Sequence, residues 1–181
     1  MHTAESIIDF WYSDEVKPMW FNSTEAFDKK LKEKYEETWK NAIRGDYKDW
    51  QDSAEGCLAL AIIFDQFPLN MFRNEVESFS TEAMAIKITK HAIAQKFDEN
   101  LDKDKLAFLY MPLMHSEKIE DQDLSVALFL KAGLIDNHKF AEHHRNIVQK
   151  FGRFPHRNEI LQRTSTEAEI EYLLSDGAFK G

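Results

Sequence analysis

The chain has 181 residues and a formal net charge of -9, from 23 basic and 32 acidic side chains. This length fits one domain with a sizeable core, so we expect a single domain over residues 1–181. The acidic balance argues against a nucleic-acid-binding protein, because neutralising phosphates needs a broad basic surface.

Cysteine usage and apolar runs bear on the cellular compartment. The one cysteine, Cys57, excludes an internal disulfide and is compatible with a reducing cytoplasm. The N-terminal stretch MHTAESIIDFWYSDE lacks the basic start and long apolar run of a signal peptide. No run approaches the roughly 18 apolar residues of a membrane span. We therefore expect a cytoplasmic protein without a membrane partner.

The tetrapeptide Ser-Thr-Glu-Ala occurs three times, beginning at Ser23, Ser80 and Ser165. Each copy predicts a helix start, because a hydroxyl side chain can cap the first turn and a glutamate suits its positive end. After the first copy, apolar residues recur every four positions and predict a helix that ends at Gly45. These residues are Phe27, Leu31, Tyr35, Trp39 and Ile43.

The remaining helices follow from breakers and apolar runs. A helix beginning at Ser53 is apolar on nearly all sides until Pro68, which is typical of a central helix. A third runs from Ser80 to about Phe97, and a fourth contains Pro112, which should kink it or end it early. Two more end in glycine, a short helical turn follows Pro155, and a closing helix runs to Leu174. The two glycine-terminated helices end at Gly133 and Gly152.

No alternating strand pattern or hairpin signal interrupts these elements. Six glycines and four prolines leave little material for the turns of a many-stranded β fold. The sequence therefore predicts an all-α fold, an antiparallel array of about seven to eight helices.

Positive charge is concentrated between His138 and Arg163. This window holds four of the seven histidines and six basic residues against two acidic ones, for a net charge of +4. Arginine pairs with carboxylate or phosphate in a two-point fashion, so the window predicts one wall of an anion-binding site. The alternative is that these arginines pair with the chain's own carboxylates or cap the helix end near Gly152. The basic residues are Lys139, Arg145, Lys150, Arg153, Arg157 and Arg163.

Two further polar segments interrupt apolar helices. Asp65 and Gln66 end the central helix, where an unpaired buried carboxylate is costly, so Asp65 should lie on a rim or pair with an arginine. His115 and Glu117 follow Pro112, about one and a half turns after Tyr110. Polar groups at the end of a buried helix often line a cavity, although a lone histidine there is more often a satisfied core or cap residue.

Metal and nucleotide sites are not indicated. Donors for zinc or iron exist in His115, Glu117, His144 and His156, but they lack a close-spaced signature, and nearby arginines would repel a cation. No glycine-rich nucleotide loop or nucleophile elbow is present. We therefore expect no metal and no cofactor.

Four blocks of sequence together resemble one bacterial family, catalogued as domain of unknown function 924. The blocks are IIDFW, DQFPLNMFR, FLYMPLMHSE and HHRNIVQKFGRFPHRNEIL, and the resemblance runs from Ile7 to Leu174. It implies a fold of paired antiparallel helices like that of tetratricopeptide repeats, and no established activity or cofactor. Two positions depart from the family pattern. Leu69 stands where the resemblance implies arginine, which leaves Arg73 on that wall, and His143 precedes the histidine that matches, His144.

Three functions remain open. The first is binding of a small anionic molecule or peptide carboxylate, with arginines gripping the anion and polar side chains donating hydrogen bonds. The second is a hydrolase or lyase in which His115 with Glu117, or His144 or His156 with Asp65, transfers protons. The third is structural, with the polar blocks locking helices together or forming a dimer interface; the sequence does not indicate an oligomeric state. The residues predicted for anion binding are Gln66, Arg73, Tyr110, Arg145, Arg153, Arg157 and Asn158.

Overall fold

The computed structural model describes residues 2–181, which form eight helices and no strand. This confirms the all-α fold class. No helix within these residues is long and apolar enough to cross a membrane. The helices are α1 (Ala4–Trp11), α2 (Glu25–Arg44), α3 (Ala54–Ala61, a π-helical turn Ile62–Gln66, and Phe67–Met71), α4 (Glu82–Ala94), α5 (Lys103–His115), α6 (Ile119–Ala132), α7 (Ile135–Phe151) and α8 (Glu167–Leu173).

The described chain divides into two compact units, one ending at Pro112 and one spanning Leu113–Gly181. The single domain over 1–181 and the likeness to tetratricopeptide repeats stay predictions. Short 3-10 turns connect the helices. They lie at Lys17–Met19, Lys48–Asp52, Val76–Phe79, Phe97–Asn100 and Pro155–Arg157, the last of these confirming the helical turn predicted after Pro155.

Helix α3 is the central helix of the first unit, and both α1 and α4 pack against it. Its residues from Cys57 to Ile63 are at most 2% exposed, as the apolar run predicts. Aromatic rings extend this core, with centroids 5.8 Å apart for Trp11 and Phe67 and 4.8 Å apart for Tyr35 and Phe67. Each such side chain stabilises the fold by about 1.5–3 kcal/mol when fully buried.

Helix α2 confirms the predicted start and end but not the whole predicted face. The Thr24 hydroxyl accepts a hydrogen bond from the Phe27 amide, and Gly45 ends the helix with a left-handed φ of 87°. Ile43 is 40% exposed, whereas Ala42 is buried. Placing Ile43 on the buried face was therefore wrong. Four steps of four residues rotate the stripe by about 160° in a helix of 3.6 residues per turn.

The expectation that α3 ends at Pro68 was also wrong, because a π-helical turn carries the helix through the proline. In this turn the Phe67 amide donates to the Ile62 carbonyl, five residues back. Pro68 has no amide hydrogen, so the Phe64 carbonyl needs another donor. The Thr81 hydroxyl supplies it at 2.7 Å.

Thr81 is thus used for tertiary structure rather than for capping. It is the N-cap residue of α4 but makes no capping hydrogen bond, so the capping expected of the second Ser-Thr-Glu-Ala copy was wrong. Its hydroxyl oxygen also accepts a hydrogen bond from the Trp39 indole at 3.2 Å. One buried hydroxyl therefore joins α2, α3 and the start of α4.

Two other helix ends bear on the predictions, one by excluding an alternative and one by differing. Helix α5 continues to His115, three residues beyond Pro112, so that proline does not end it early. Helix α4 ends at Ala94 rather than near Phe97, since Lys96 adopts a left-handed φ of 59° that interrupts the helix.

In the second unit α6 packs against α7, and both end at the predicted glycines. Gly133 and Gly152 have φ values of 67° and 70°, which glycine adopts without steric cost. Ile147 and Val148 of α7 form a small core together with Phe154. Partly buried apolar side chains pack against it: Ile119, Phe151, Tyr172 and Phe179.

The hydroxyl of Thr81 gives the first testable prediction. Thr81→Val keeps the shape of the side chain but leaves the Phe64 carbonyl and the Trp39 indole without this partner. Because both groups are buried, we expect the free energy of unfolding to fall by about 1–3 kcal/mol in urea denaturation. Ser80→Ala is the control, since it removes an exposed local hydrogen bond to the Glu77 carbonyl. Equal stability of the two variants would contradict the role given to Thr81.

Candidate functional site

The polar residues after α5 and the chain between α7 and α8 come together in the second unit around Glu117. The Glu117 carboxylate accepts two hydrogen bonds from the Arg163 guanidinium, at 2.7 and 2.9 Å. It also accepts the Phe154 amide at 2.8 Å. Burial alone would raise the pKa of Glu117, but Arg163, the Phe154 amide and the charge of Arg157 together hold it below its usual value. Glu117 is therefore ionised at neutral pH and is a weak base.

The short segment that carries His115 and Glu117 is fixed to the start of α6. The Gln122 amide donates to the carbonyls of Met114 and Ser116, both at 2.7 Å. The Ser116 hydroxyl donates to the Asp121 carboxylate at 2.7 Å. These buried bonds satisfy carbonyls at the end of α5 and set the direction in which Glu117 leaves the helix.

Arg153 pairs with a buried glutamate of α8. Its Nε and Nη2 donate to the two oxygens of Glu169 at 2.7 and 2.8 Å, and Nη2 also donates to the Thr164 carbonyl. Glu169 closes the capping box with Thr166, whose amide it accepts at 2.8 Å. The hydrogen bond from Arg153 is the main cause that lowers the pKa of Glu169 to about 2. The predicted anion for Arg153 is thus the chain's own carboxylate in this structure.

The other predicted arginines also contact acceptors within their own units. Arg157 donates to the His115 carbonyl at 2.8 Å, and its guanidinium lies 4.7 Å from the centroid of the Phe154 ring. Arg145 pairs with Asp123. In the first unit, Arg73 pairs with Asp28 at 2.8 Å and donates to Asn70.

His144 is buried and neutral at physiological pH. Its Nδ1 lies 2.7 Å from the Phe140 carbonyl oxygen, so Nδ1 carries the hydrogen and Nε2 is left as an acceptor. Burial lowers the pKa of His144 to about 3, and His115 adds to this effect. The ring packs against Phe154 and Phe179, with centroid distances of 5.4 and 4.4 Å.

His156 lies in the same neighbourhood. Burial, followed by the charge of Arg157, lowers its pKa to about 4. Its ring centroid is 4.9 Å from that of Phe179 and 5.6 Å from that of Phe154. His115 acts electrostatically on both His144 and His156. The three candidate histidines of the site, His115, His144 and His156, therefore lie near one another.

A cavity of about 310 Å³ opens beside His156. Asn158, which is 2% exposed, donates to the Ser165 oxygen at 3.0 Å and accepts from Arg163 at 3.0 Å. Because the Ser165 oxygen is the acceptor in that bond, its own hydroxyl hydrogen is available for a ligand. The cavity is lined by Pro155, His156, Glu159, Ser165, Leu173 and Lys180.

Three other predicted residues of the first unit, Asp65, Gln66 and Tyr110, are buried and contact other side chains there. The Gln66 amide donates to Asp65 at 2.5 Å and contacts the Met111 sulfur at 3.3 Å. The Tyr110 hydroxyl donates to Asp98 at 2.7 Å. Burial is the main cause that raises the pKa of Tyr110.

Sequence reasoning missed Asp98, the partner of Tyr110 in the first unit, and three residues of the second unit, Glu169, Phe179 and Lys180. Glu169 has a signal, because Thr166 and Glu169 have the spacing of a capping box. Phe179 has none, since nothing near it in sequence predicts that its ring reaches three histidines. Within residues 2–181, no group of three or more His, Cys, Asp or Glu side chains is arranged to hold a metal ion.

Comparisons with known proteins bear on family and fold. Residues 7–177 match the model of a family described as bacterial protein of unknown function (DUF924). The solved structure of a protein of unknown function, ATU0120 from Agrobacterium tumefaciens, is similar with a TM-score of 0.89 and 36% sequence identity. The match covers 94% of this chain and 96% of that one. Comparison with curated proteins gives no match.

The pairing of Arg163 with Glu117 generates the second prediction. Arg163→Ala leaves a half-buried carboxylate and the Asn158 side chain without their donor. We expect the free energy of unfolding to fall by about 1–3 kcal/mol in urea denaturation. Arg145→Ala is the matched control, because its partner Asp123 is 53% exposed and such pairs contribute less than about 1 kcal/mol. If the two variants were equally stable, Arg163 would not be a structural arginine.

Proposed function

Because this chain belongs to the DUF924 family of bacterial proteins of unknown function, whose description carries no activity, we propose from the site alone that it binds a small anionic molecule or a peptide carboxylate. The place proposed is the cavity beside His156. The observation that carries the proposal is the Ser165 hydroxyl, whose hydrogen is left available by the bond from Asn158.

The cavity offers hydrogen-bond donors for the carboxylate of a ligand and an acceptor for an adjacent N–H group. Ser165 and the Lys180 ammonium supply hydrogen bonds to oxygen, and His156 is a neutral imidazole at pH 7. Glu159 lies on the same lining and would accept an N–H group of the ligand. A peptide carboxylate carries both an anion and a backbone N–H, so it fits this lining better than an inorganic anion.

The arginines take an indirect part in this proposal. Arg163 donates to Asn158, which in turn donates to Ser165. Arg153 holds Glu169 in the first turn of α8, and this helix begins two residues after Ser165. Arg157 orients the end of α5 through the His115 carbonyl. These arginines are bonded to acceptors of the chain itself. They affect a ligand by positioning the residues that line the cavity.

A titration with a matched pair of ligands tests the proposal. Acetylglycine carries an amide N–H and a carboxylate, and acetylglycinamide replaces the carboxylate with a neutral amide. We expect acetylglycine to shift NMR signals of residues around Ser165 and His156, and acetylglycinamide to have no such effect. Ser165→Ala and Lys180→Gln should each weaken binding roughly tenfold, since each removes one hydrogen bond to a charged group.

Thr164→Ala serves as the control, because it removes an exposed side chain beside Ser165 and keeps the carbonyl that accepts Arg153. Identical responses to the two ligands, or full binding by Ser165→Ala, would reject a carboxylate site at this cavity.

The second candidate is an acid–base enzyme of the hydrolase or lyase class. The observation that favours it is His144, which is oriented by the Phe140 carbonyl so that Nε2 is the acceptor. Glu117 is unsuited to act as the base, because both of its carboxylate oxygens already accept hydrogen bonds from Arg163 or the Phe154 amide. His144 would be the proton acceptor, with His115 near it.

The pH dependence of any turnover separates this candidate from binding. A base with a pKa of about 3 is unprotonated throughout the neutral range. Activity against a panel of small esters and amides should therefore stay constant from about pH 8 to pH 5 and fall only as pH approaches that pKa. We expect His144→Gln to abolish the activity. Activity that survives in this variant, or that declines near pH 6.5, would exclude His144 as the base.

A further inference from the structure

Three histidine rings of the second unit lie against the chain that follows α8. We call residues 175–181 the strap. Phe179 of the strap lies against three histidine rings, with centroid distances of 4.4 Å to His144, 4.9 Å to His156 and 6.4 Å to His143. The end of the strap also reaches His156, since a Cβ built on Gly181 would lie 3.3 Å from the imidazole. One aromatic side chain of the strap thus contacts all three rings.

The strap has few other attachments. It contains no helix and most of its residues are exposed. The Phe179 amide donates to the Tyr172 hydroxyl at 2.9 Å, and the Ala178 amide donates to the Ser175 carbonyl. Tyr172 is itself held by Phe151, at a centroid distance of 5.1 Å. A segment with so few buried contacts belongs to the part of a protein that opens most easily.

The place that Phe179 occupies is suited to an aromatic ring. Its walls include three imidazole rings inclined at 60° to 88° to the phenyl ring, beside the small core of Ile147, Val148 and Phe154. Edge-to-face packing is favoured between aromatic groups. His144 and His156 are uncharged at neutral pH because burial lowers the pKa of each. A neutral imidazole packs against an apolar ring without the cost of desolvating a charge.

We propose that His143, His144 and His156 form a recognition site for the aromatic side chain of a peptide, and that Phe179 occupies this site within the same chain. A peptide that carries a phenylalanine in a flexible segment takes the same place when the strap opens. This goes beyond the carboxylate site proposed above, because it concerns a ring and needs no negative charge on the ligand.

The strap acts as an internal competitor. A short tether gives the attached ring an effective concentration on the order of millimolar. A partner therefore has to bind more tightly than a free copy of the strap, or the strap has to be removed. Removing only the Phe179 ring vacates the site and should let an added peptide enter.

Histidine reactivity toward diethyl pyrocarbonate, followed by mass spectrometry at pH 7, tests the proposal. The reagent acylates accessible unprotonated imidazole nitrogens. We expect His144 and His156 to react slowly in the unaltered chain and roughly tenfold faster in Phe179→Ala. His91 is the internal reference, because it lies in the first unit and its Nε2 contacts the Gln51 carbonyl. Unchanged rates in Phe179→Ala would overturn the covering role.

A peptide added to Phe179→Ala completes the experiment. The acetylated and amidated strap peptide SDGAFKG, at millimolar concentration, should restore slow reaction of His144 and His156. The matched peptide SDGAAKG should give no protection. Protection by both peptides, or by neither, would overturn aromatic recognition. The amidated peptides carry no terminal carboxylate, so the outcome is separate from the acetylglycine titration.

Two further variants guard against unfolding and test the hydrogen bond. Phe179→Leu keeps apolar volume without an aromatic ring, and the urea midpoint of each variant shows whether the unit remains folded. Tyr172→Phe removes the acceptor of the Phe179 amide and keeps the ring against Phe151. We expect its histidines to react at a rate between those of the unaltered chain and Phe179→Ala. A Tyr172→Phe rate equal to that of the unaltered chain would contradict the strap as described.

Discussion

The carboxylate of Glu117 is the interaction on which the second unit depends. The chain between α7 and α8 has little regular structure, so its backbone groups need partners from elsewhere. Glu117 accepts the Phe154 amide, and the Arg163 bound to it donates to the Phe154 carbonyl at 3.1 Å. The same guanidinium holds Asn158, and Asn158 holds Ser165. The wall of the cavity beside His156 can therefore be traced, bond by bond, to one carboxylate.

Pairing in the folded chain also accounts for the positive charge that the sequence concentrates between His138 and Arg163. Four of its basic residues pair with carboxylates that lie outside this window. Counting these four acids reduces the window's net charge from +4 to zero. The pairs are Lys139 with Asp136, Arg145 with Asp123, Arg153 with Glu169 and Arg163 with Glu117. A local excess of arginine thus serves largely to join parts of the unit that are distant in sequence.

Sequence signals were reliable where a single residue decides the local geometry. Gly45, Gly133 and Gly152 end their helices as predicted, because a left-handed residue there is nearly specific to glycine. The helix end predicted from Pro68 was wrong, because the effect of the proline depends on a distant hydroxyl. That hydroxyl satisfies the Phe64 carbonyl, which the proline leaves without a donor. Thr81, 17 residues after Phe64, provides that hydroxyl for the Phe64 carbonyl, and no local sequence pattern predicts the pair.

The candidate site shows the same division between what is local and what is distant. The sequence indicated the region and its residue types, and it left open whether the arginines meet a ligand or the chain's own acids. A ligand carboxylate and an acidic side chain of the protein offer the same oxygens to the planar guanidinium group. Residue type alone therefore cannot distinguish the two partners. Glu117 lies 46 residues from Arg163, and only the fold brings the two together. The anion-binding residues therefore stay a prediction.

In the two proposals above, recognition in the second unit therefore does not depend on net positive charge. The arginines are engaged, and His144 and His156 are neutral in their buried positions. The groups proposed to contact a ligand are the hydroxyl hydrogen of Ser165, the ammonium of Lys180, and the aromatic place next to them under Phe179. The aromatic part of that affinity comes from shape and desolvation and is only weakly affected by salt, whereas the attraction of the exposed Lys180 ammonium for a carboxylate is screened by it. Such a site suits a partner that presents a specific side chain and backbone to the protein, rather than a highly charged metabolite.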